Sequence, residues 1–265
     1  MQLAGSSVLL TGASGGIGKA IARTLHARGA RVMLSGRNTG MLEELRAELG
    51  GETTVLDADL ADEAAVRTLP ERTGPLDVLV ANAALPASGR VDSFTPEEID
   101  RALDVNLRSP MQLALALTPG MVERGRGHMV FIASLSGKIS SGGSAIYSAT
   151  KFGLRGFAAG LREDLLGSGV GVTTVYPGFI SDAGMFAEAG TKLPPGVGTR
   201  TPEAVADAVA RGIEEGKAEL DVAPLGMRLG ARFWGMSPTA VGALQRRLGS
   251  LKIADSLAAG QRSKR

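Results

Sequence analysis

Three polar side chains stand in a row whose spacing suits proton transfer. Ser134 is followed thirteen residues later by Tyr147 and four residues after that by Lys151, within Tyr147-Ser148-Ala149-Thr150-Lys151. A separation of four puts Tyr147 and Lys151 on one face of a helix, where an ammonium favours the ionised phenol. With a reference pKa of about 10, an unaided phenol needs such a neighbour before its proton is usable near neutral pH. Ser134 ends an apolar run and would face the same cleft. Taken singly, a half-buried Tyr near a helix start is more often packing than chemistry; the joint spacing is what points to a general acid or base.

A second constellation lies at the other end of the chain. The run Thr11-Gly12-Ala13-Ser14-Gly15-Gly16-Ile17-Gly18 joins an apolar stretch to a helical one. Glycines permit a tight strand-to-helix turn and close approach of a ligand, and the helix N-terminus offers free N–H groups and a positive dipole to a pyrophosphate. A dinucleotide is the natural ligand. Twenty-four residues after Gly12, where an acid would hold the adenosine ribose, the sequence reads Ser35-Gly36-Arg37-Asn38. A carboxylate there would repel a 2′-phosphate, whereas Arg37 can pair with one and Ser35 can donate a further hydrogen bond. NADP(H) is therefore expected in preference to NAD(H).

These residues need a scaffold, and the patterning supplies one. Short β-branched or apolar runs at 7–10, 31–35, 53–57, 77–81, 128–133, 171–176 and 219–222 alternate with helical patterns at 16–27, 39–49, 63–69, 96–124, 145–166 and 202–215. Alternation of this kind predicts an α/β fold: a Rossmann-like, doubly wound, parallel sheet of seven strands with helices on both faces. Thr95 before Pro96 and Thr201 before Pro202 read as N-caps, and Asp62 as another. Segment 182–200, with four glycines and the pair Pro194 and Pro195, reads as a long loop of the lid or substrate-binding kind.

With these motifs in order, residues 5 to about 225 resemble the short-chain dehydrogenase/reductase family of single-domain type. Gly12, Gly16 and Gly18 match its TGxxxGxG, Asp59-Leu60 its adenine-contacting position, Asn82-Ala83-Ala84 its NAG, and Pro177-Gly178 the turn after its sixth strand. Asn106, Ser134, Tyr147 and Lys151 match its catalytic tetrad. The resemblance implies Tyr147 as general acid or base, Ser134 holding the substrate oxygen, Lys151 binding the nicotinamide ribose and lowering the tyrosine pKa, and Asn106 holding a water for a proton relay. It also implies cofactor contacts from Ser14, Ile17, Ala83 and Ile180. The implied activity is NADP(H)-dependent interconversion of a ketone or aldehyde and an alcohol, with a small-molecule carbonyl substrate of bulky, apolar character. A 3-oxoacyl-carrier-protein reductase is the enzyme alternative, although Leu85-Pro86-Ala87-Ser88 differs from the threonine, arginine and aspartate usual there. A non-catalytic NADPH sensor or scaffold is the alternative of another class. Ala81 and Ala84 depart from NNAG, and Asp182 stands where the family's PGxxxT has Thr, leaving the carboxamide contact to Ser181 or to the main chain of Ile180.

Composition narrows the remaining classes. No run of eighteen apolar residues occurs, so no spanning helix is expected, and the N-terminus lacks the features of a signal peptide. The absence of Cys removes disulfides, thiolate zinc and cysteine nucleophiles and points to the cytoplasm. The two histidines, His26 and His128, read as structural or surface residues, and no metal site is expected. A low aromatic content of 4% and a formally negative body argue against nucleic acid as a partner.

Residues 1–225 form the expected dinucleotide-binding and catalytic domain, with a formal charge of −5. Residues 226–265 form a basic amphipathic extension of charge +7, in which the only acid is Asp255. Leu225, Leu229 and Phe233 make an apolar stripe beside Arg228, Arg232 and Trp234. The favoured reading is a helix that closes the substrate pocket or contacts a second copy; the rival is reversible contact with an anionic membrane surface. Residues 261–265 are expected to be disordered. Apolar character on more than one face of the 96–124 and 145–166 helices, and the family's habit, imply a homo-oligomer, dimer or tetramer.

Overall fold

The computed structural model describes residues 1–191, 193, 197–247 and 250–262. Its elements run β1 (Ser7–Thr11), α1 (Gly16–Ala27), β2 (Arg31–Gly36), α2 (Thr39–Leu49), β3 (Thr54–Asp57), α3 (Glu63–Thr68), β4 (Val78–Ala81), α4 (Pro96–Leu103), α5 (Ser109–Glu123), β5 (Gly127–Ile132), α6 (Ala145–Asp164), β6 (Val170–Pro177), α7 (Gly184–Glu188), α8 (Pro202–Glu215), β7 (Glu219–Val222), α9 (Leu225–Met236), α10 (Pro238–Arg247) and α11 (Ser250–Gln261). The seven strands form one parallel sheet in the order β3-β2-β1-β4-β5-β6-β7. Chain order reverses between β1 and β4, the place where an open α/β sheet leaves a crevice at its carboxyl edge.

Both faces of the sheet are covered, which is why its central strands read as unbroken apolar runs. Val8 and Leu10 of β1 enter one core with Ile21, Leu25, Val205 and Val209. Leu9 enters the other, with Leu113, Leu117 and Leu154. The caps read from the sequence are in place: Thr95 and Glu98 make a reciprocal capping box, and the side chains of Thr201 and Asp62 accept from Ala204 N and Ala64 N.

The expected single helix over 96–124 is broken. Between α4 and α5 lies one wider π-helical turn, Asp104–Arg108. Pro110 supplies the reason: it has no N–H for the carbonyl of Asn106 four residues back, and an α-helix cannot continue unchanged through that gap. The expected long loop at 182–200 is also more ordered than foreseen. It contains the short helix α7, and a bridge between Ile180 and Arg200 pins its base. The Pro194–Pro195 pair lies outside the described residues. At the C-terminus the expectation of disorder from residue 261 fails at Gln261, which ends α11, is 4% exposed and donates from Nε2 to Met185 O at 3.0 Å. Residues 263–265 lie outside the described residues.

His128 on β5 is a packed core residue. Its Nε2 lies 2.8 Å from Thr173 Oγ1, whose own proton goes to Lys217 O, so the imidazole is the donor. Burial lowers its pKa from 6.5 to about 4. The folded state thus binds this proton less readily than the unfolded chain does, and its contribution is complete above pH 6.5 and lost as pH falls toward 4. At about 1.4 kcal/mol per pKa unit, the loss is on the order of 3 kcal/mol. Urea unfolding at pH 7 and pH 4.5 should show this slope, and His128→Asn should flatten it.

Candidate active site

A cleft of about 1620 Å³ opens along the carboxyl edge of the sheet. At one end lies the turn from β1 into α1, and its glycines are fixed by contact. Gly12 has φ +64°, and a Cβ on it would lie 2.7 Å from Ala83 Cα. A Cβ on Gly16 would meet Ala183 Cβ at 2.4 Å, and one on Gly18 would lie 2.2 Å from the Gly12 carbonyl oxygen. The turn is held from below by Asn82, whose Nδ2 donates to Thr11 O and Gly12 O at 3.0 and 3.1 Å. Thr11 Oγ1 accepts in turn from the amides of Asn82 and Ala83 at 3.0 and 3.1 Å. Asn82 therefore shapes the phosphate turn rather than presenting its amide to the cleft. Thr11 carries as much of this junction, a role not assigned from sequence.

The end of β2 forms the next part of the wall. Ser35 is 1% exposed and its Oγ has no hydrogen-bond partner among the described residues. Arg37 lines the cleft beside it, with its guanidinium 4.0 Å from Asp59 Oδ2. Asp59 Oδ1 accepts from Ala61 N, and Asn38 caps α2 through Met41 N. Ser14, Ile17, Leu60, Ala83, Pro177, Gly178 and Ile180 also line the cleft. An orphaned buried hydroxyl, a cradle that any Cβ would fill and a helix N-terminus together fit a dinucleotide.

At the other end the structure brings Ser134, Tyr147 and Lys151 together. A 3₁₀ turn, Leu135–Gly137, follows β5 and packs so closely on α6 that a Cβ on Gly137 would lie 2.6 Å from Lys151 O. Ser134 Oγ accepts from Ser136 N and donates to Pro177 O at 3.5 Å, and the side chain lies near enough to the Tyr147 phenol to favour its ionised form. Lys151 is 2% exposed, donates from Nζ to Ile132 O at 3.0 Å, and sits 5.7 Å from the centre of the Tyr147 ring. Burial lowers the Lys151 pKa to about 8. Burial also pushes the Tyr147 phenol up to about 12, against a smaller lowering by neighbouring Ser134. Loss of solvent is thus the larger influence on the phenol, beside the lowering expected from Lys151.

Asn106 is fully buried and does not line the cleft. Its Oδ1 accepts from Leu85 N at 2.6 Å and its Nδ2 donates to Leu85 O at 2.9 Å, so the side chain is spent on the loop after β4. Asp182 is exposed, stands in the left-handed region at φ 61° and is absent from the wall; Ser181 N and Oγ both go to Arg200 O. Of the sequence's two substitutes for the missing Thr, only Ile180 faces the cleft.

A family model described as short chain dehydrogenase matches residues 6–193. The chain belongs to the short-chain dehydrogenase/reductase family. Its relatives include the ketoacyl reductase HetN of Nostoc sp., 35% identical over 227 residues, a match covering 83% of this chain and 79% of HetN. Among solved structures, the closed form of a serine dehydrogenase complexed with NADP+ superposes with a TM-score of 0.75 at 30% identity, covering 83% of this chain and 95% of that one. A short-chain dehydrogenase/reductase from Burkholderia phymatum in complex with NAD, 20% identical, has a TM-score of 0.79 over 90% of this chain and 95% of that one; it attests the fold.

Sequence reading of this short-chain dehydrogenase/reductase expected a lid or substrate-binding loop at 182–200 and a pocket-closing helix near Leu225–Trp234, but named none of the α11 residues that build the far wall. Ala183 and Gly184 close over Gly16 and Ile17, and α11 spans the substrate end. Ala254 meets Gly143 on one rim, while Gln261 and Ser256 bond Met185 O and Thr191 on the other. The one available signal was the apolar spacing of Ile253, Ala254 and Leu257, all of which line the cleft. Asn106→Ala would leave the Leu85 amide buried and unpaired, at a cost of about 1–3 kcal/mol. Urea denaturation should register that loss, while Asn106→Asp, which keeps the acceptor, should recover part of it.

Proposed function

We propose that this protein is an NADP(H)-dependent reductase that interconverts a bulky, apolar ketone or aldehyde and the corresponding alcohol. The observation that carries the reading is the convergence of Ser134 and Tyr147, backed by buried Lys151, on one end of a cleft whose other end is a dinucleotide turn. Reduced nicotinamide supplies a hydride when bound. Ser134 and Tyr147 meet where a substrate oxygen would sit: their hydrogen bonds steady the developing alkoxide, and the phenol delivers the final proton. In the alcohol-oxidising direction the same phenol oxygen takes that proton back. The Lys151 ammonium holds ribose hydroxyls and replenishes the phenol's proton.

Preference for the 2′-phosphate rests on Arg37 and on the unpaired Ser35 hydroxyl, since solved relatives bind either nucleotide. Ser14, close to Gly36 in the same corner, is placed to add a contact. Substrate character rests on the wall: Leu85, Phe179, Phe186, Met227, Ile253 and Leu257 supply apolar surface. The charged side chains at this end among the described residues, Arg101 and Glu188, each have an interaction already, so among the described residues no free charge stands ready to clamp an acid substrate. Met111, Leu115 and Val122 are exposed along α5 and support a homo-oligomer built on that helix.

A second reading, 3-oxoacyl-carrier-protein reduction, is favoured by kinship with HetN. One assay separates the two: oxidation of NADPH and NADH followed with aromatic ketones, diketones, steroids and carrier-bound 3-oxoacyl thioesters. Turnover of free apolar ketones supports the leading reading, and turnover confined to the thioesters replaces it with the second. Tyr147→Phe should lower kcat at least about 10²-fold, the low end for loss of a positioned acid. NADPH binding by fluorescence without turnover of any carbonyl would favour a sensing role. Arg37→Asp should swing the NADPH/NADH ratio of kcat/KM toward NADH; an unchanged ratio would sink the 2′-phosphate assignment. With the Lys151 pKa at about 8, its ammonium is lost above that pH, so kcat/KM for NADPH should decline as pH rises through about 8.

A further inference from the structure

Helix α9 has two faces with different surroundings. Gly226, Met227 and Gly230 line the cleft, Ala231 is buried, and Trp234 packs on Phe152 with ring centres 5.5 Å apart. On the opposite side Leu225, Leu229, Phe233 and Met236 are 65%, 42%, 58% and 80% exposed. Their spacing of four, four and three sets them in one stripe along the helix. Four large apolar side chains aligned and open to water are not the scattered exposure of an ordinary surface.

Charge identifies what covers the stripe. Arg232 borders it, Arg228 is on its flank, and Arg246 and Arg247 are exposed at the end of the adjoining α10. No ion pair engages any of these four among the described residues. No acid occurs between Asp221 and Asp255. A twofold pairing of two copies through this face would set the same arginines against each other. An anionic lipid surface instead takes the apolar side chains among its acyl chains and the guanidinium groups among its headgroups.

We propose that α9 docks this protein peripherally on anionic membrane, with Leu225, Leu229, Phe233 and Met236 inserted and Arg232 with its neighbours at the headgroups. The interior of the lipid surface is then separated from the reaction cleft by the thickness of one helix, about 10 Å. No described helix is long and apolar enough to cross a membrane, and contact through an amphipathic face of this kind is reversible. The proposal goes beyond the reductase reading and stands whatever the substrate.

Flotation of the full-length protein with phosphatidylcholine vesicles, with and without phosphatidylglycerol, tests it. The expected result is co-flotation that requires phosphatidylglycerol and weakens as salt is raised. The double variant Leu229→Asp, Phe233→Asp should lower partitioning at least about tenfold while keeping NADPH binding and unfolding temperature. Arg228→Glu with Arg232→Glu leaves the apolar stripe intact and should also abolish the preference for anionic lipid. Equal flotation with both vesicle types, no flotation, or unchanged flotation of the variants overturns the proposal. So does light scattering, without lipid, that shows an assembly the Leu229→Asp, Phe233→Asp variant makes smaller, since the stripe is then a subunit contact.

Discussion

Everything in the site hangs on the junction between the end of β1 and the end of β4. These strands are neighbours in the sheet but not in sequence, and chain order reverses between them. The side chain of Asn82 and the hydroxyl of Thr11 lace the two ends together, satisfying backbone groups that the tight Gly12 turn would otherwise strand. That lacing fixes the angle at which α1 leaves the sheet, and with it the direction of the amides offered to a pyrophosphate. It also fixes the start of the loop whose Leu85 is gripped by Asn106. From Asn106 the constraint passes through the π-helical turn to α5. One chain of hydrogen bonds therefore sets the phosphate end of the cleft and braces its reactive end.

At the reactive end, burial does the opposite of what proximity alone suggests. The phenol of Tyr147 and the ammonium of Lys151 both lose solvent, and both are pushed toward their neutral forms. A proton on Tyr147 is thereby retained across the physiological range, which suits delivery to an alkoxide. Lys151, brought to about 8, is poised to give up and regain its own. A lysine left in water would hold its proton too firmly to act as a relay.

The seven strands and the covering of both sheet faces were legible because parallel strands buried on both sides leave apolar runs, and the crossover helices leave capped, periodic ones. Gly12, Gly16, Gly18, Ser134, Tyr147 and Lys151 were legible because chemistry restricts both their type and their spacing. Other features depend on contacts that leave no local trace. The break in the 96–124 helix turns on Pro110 acting on a carbonyl one turn earlier, and apolar periodicity runs through the break unaltered. The engagement of Asn106 with Leu85 joins positions twenty-one residues apart. The left-handed Asp182 and the return of α11 across the cleft are tertiary outcomes: Gln261 gains order only because Met185 O lies where its amide can reach.

The extension after β7 then acquires a physical logic. Substrate ends of clefts in this fold are edged by loops, and a wide mouth admits water that competes for the developing alkoxide. Here α11 bridges both rims, so the apolar wall is completed from a third side. Helix α9 completes the wall from below with Gly226, Met227 and Gly230, and a Cβ on either glycine would meet nothing within 4 Å, so the cleft is roomy there. The inner face of α9 is occupied by Met227, buried Ala231 and Trp234 packed on Phe152, and the exposed apolar stripe lies on the other face. Arginines without acids among them would face one another if such a stripe paired with its own copy. Helix α9 thus shapes the cleft with one face and offers the exposed stripe with the other.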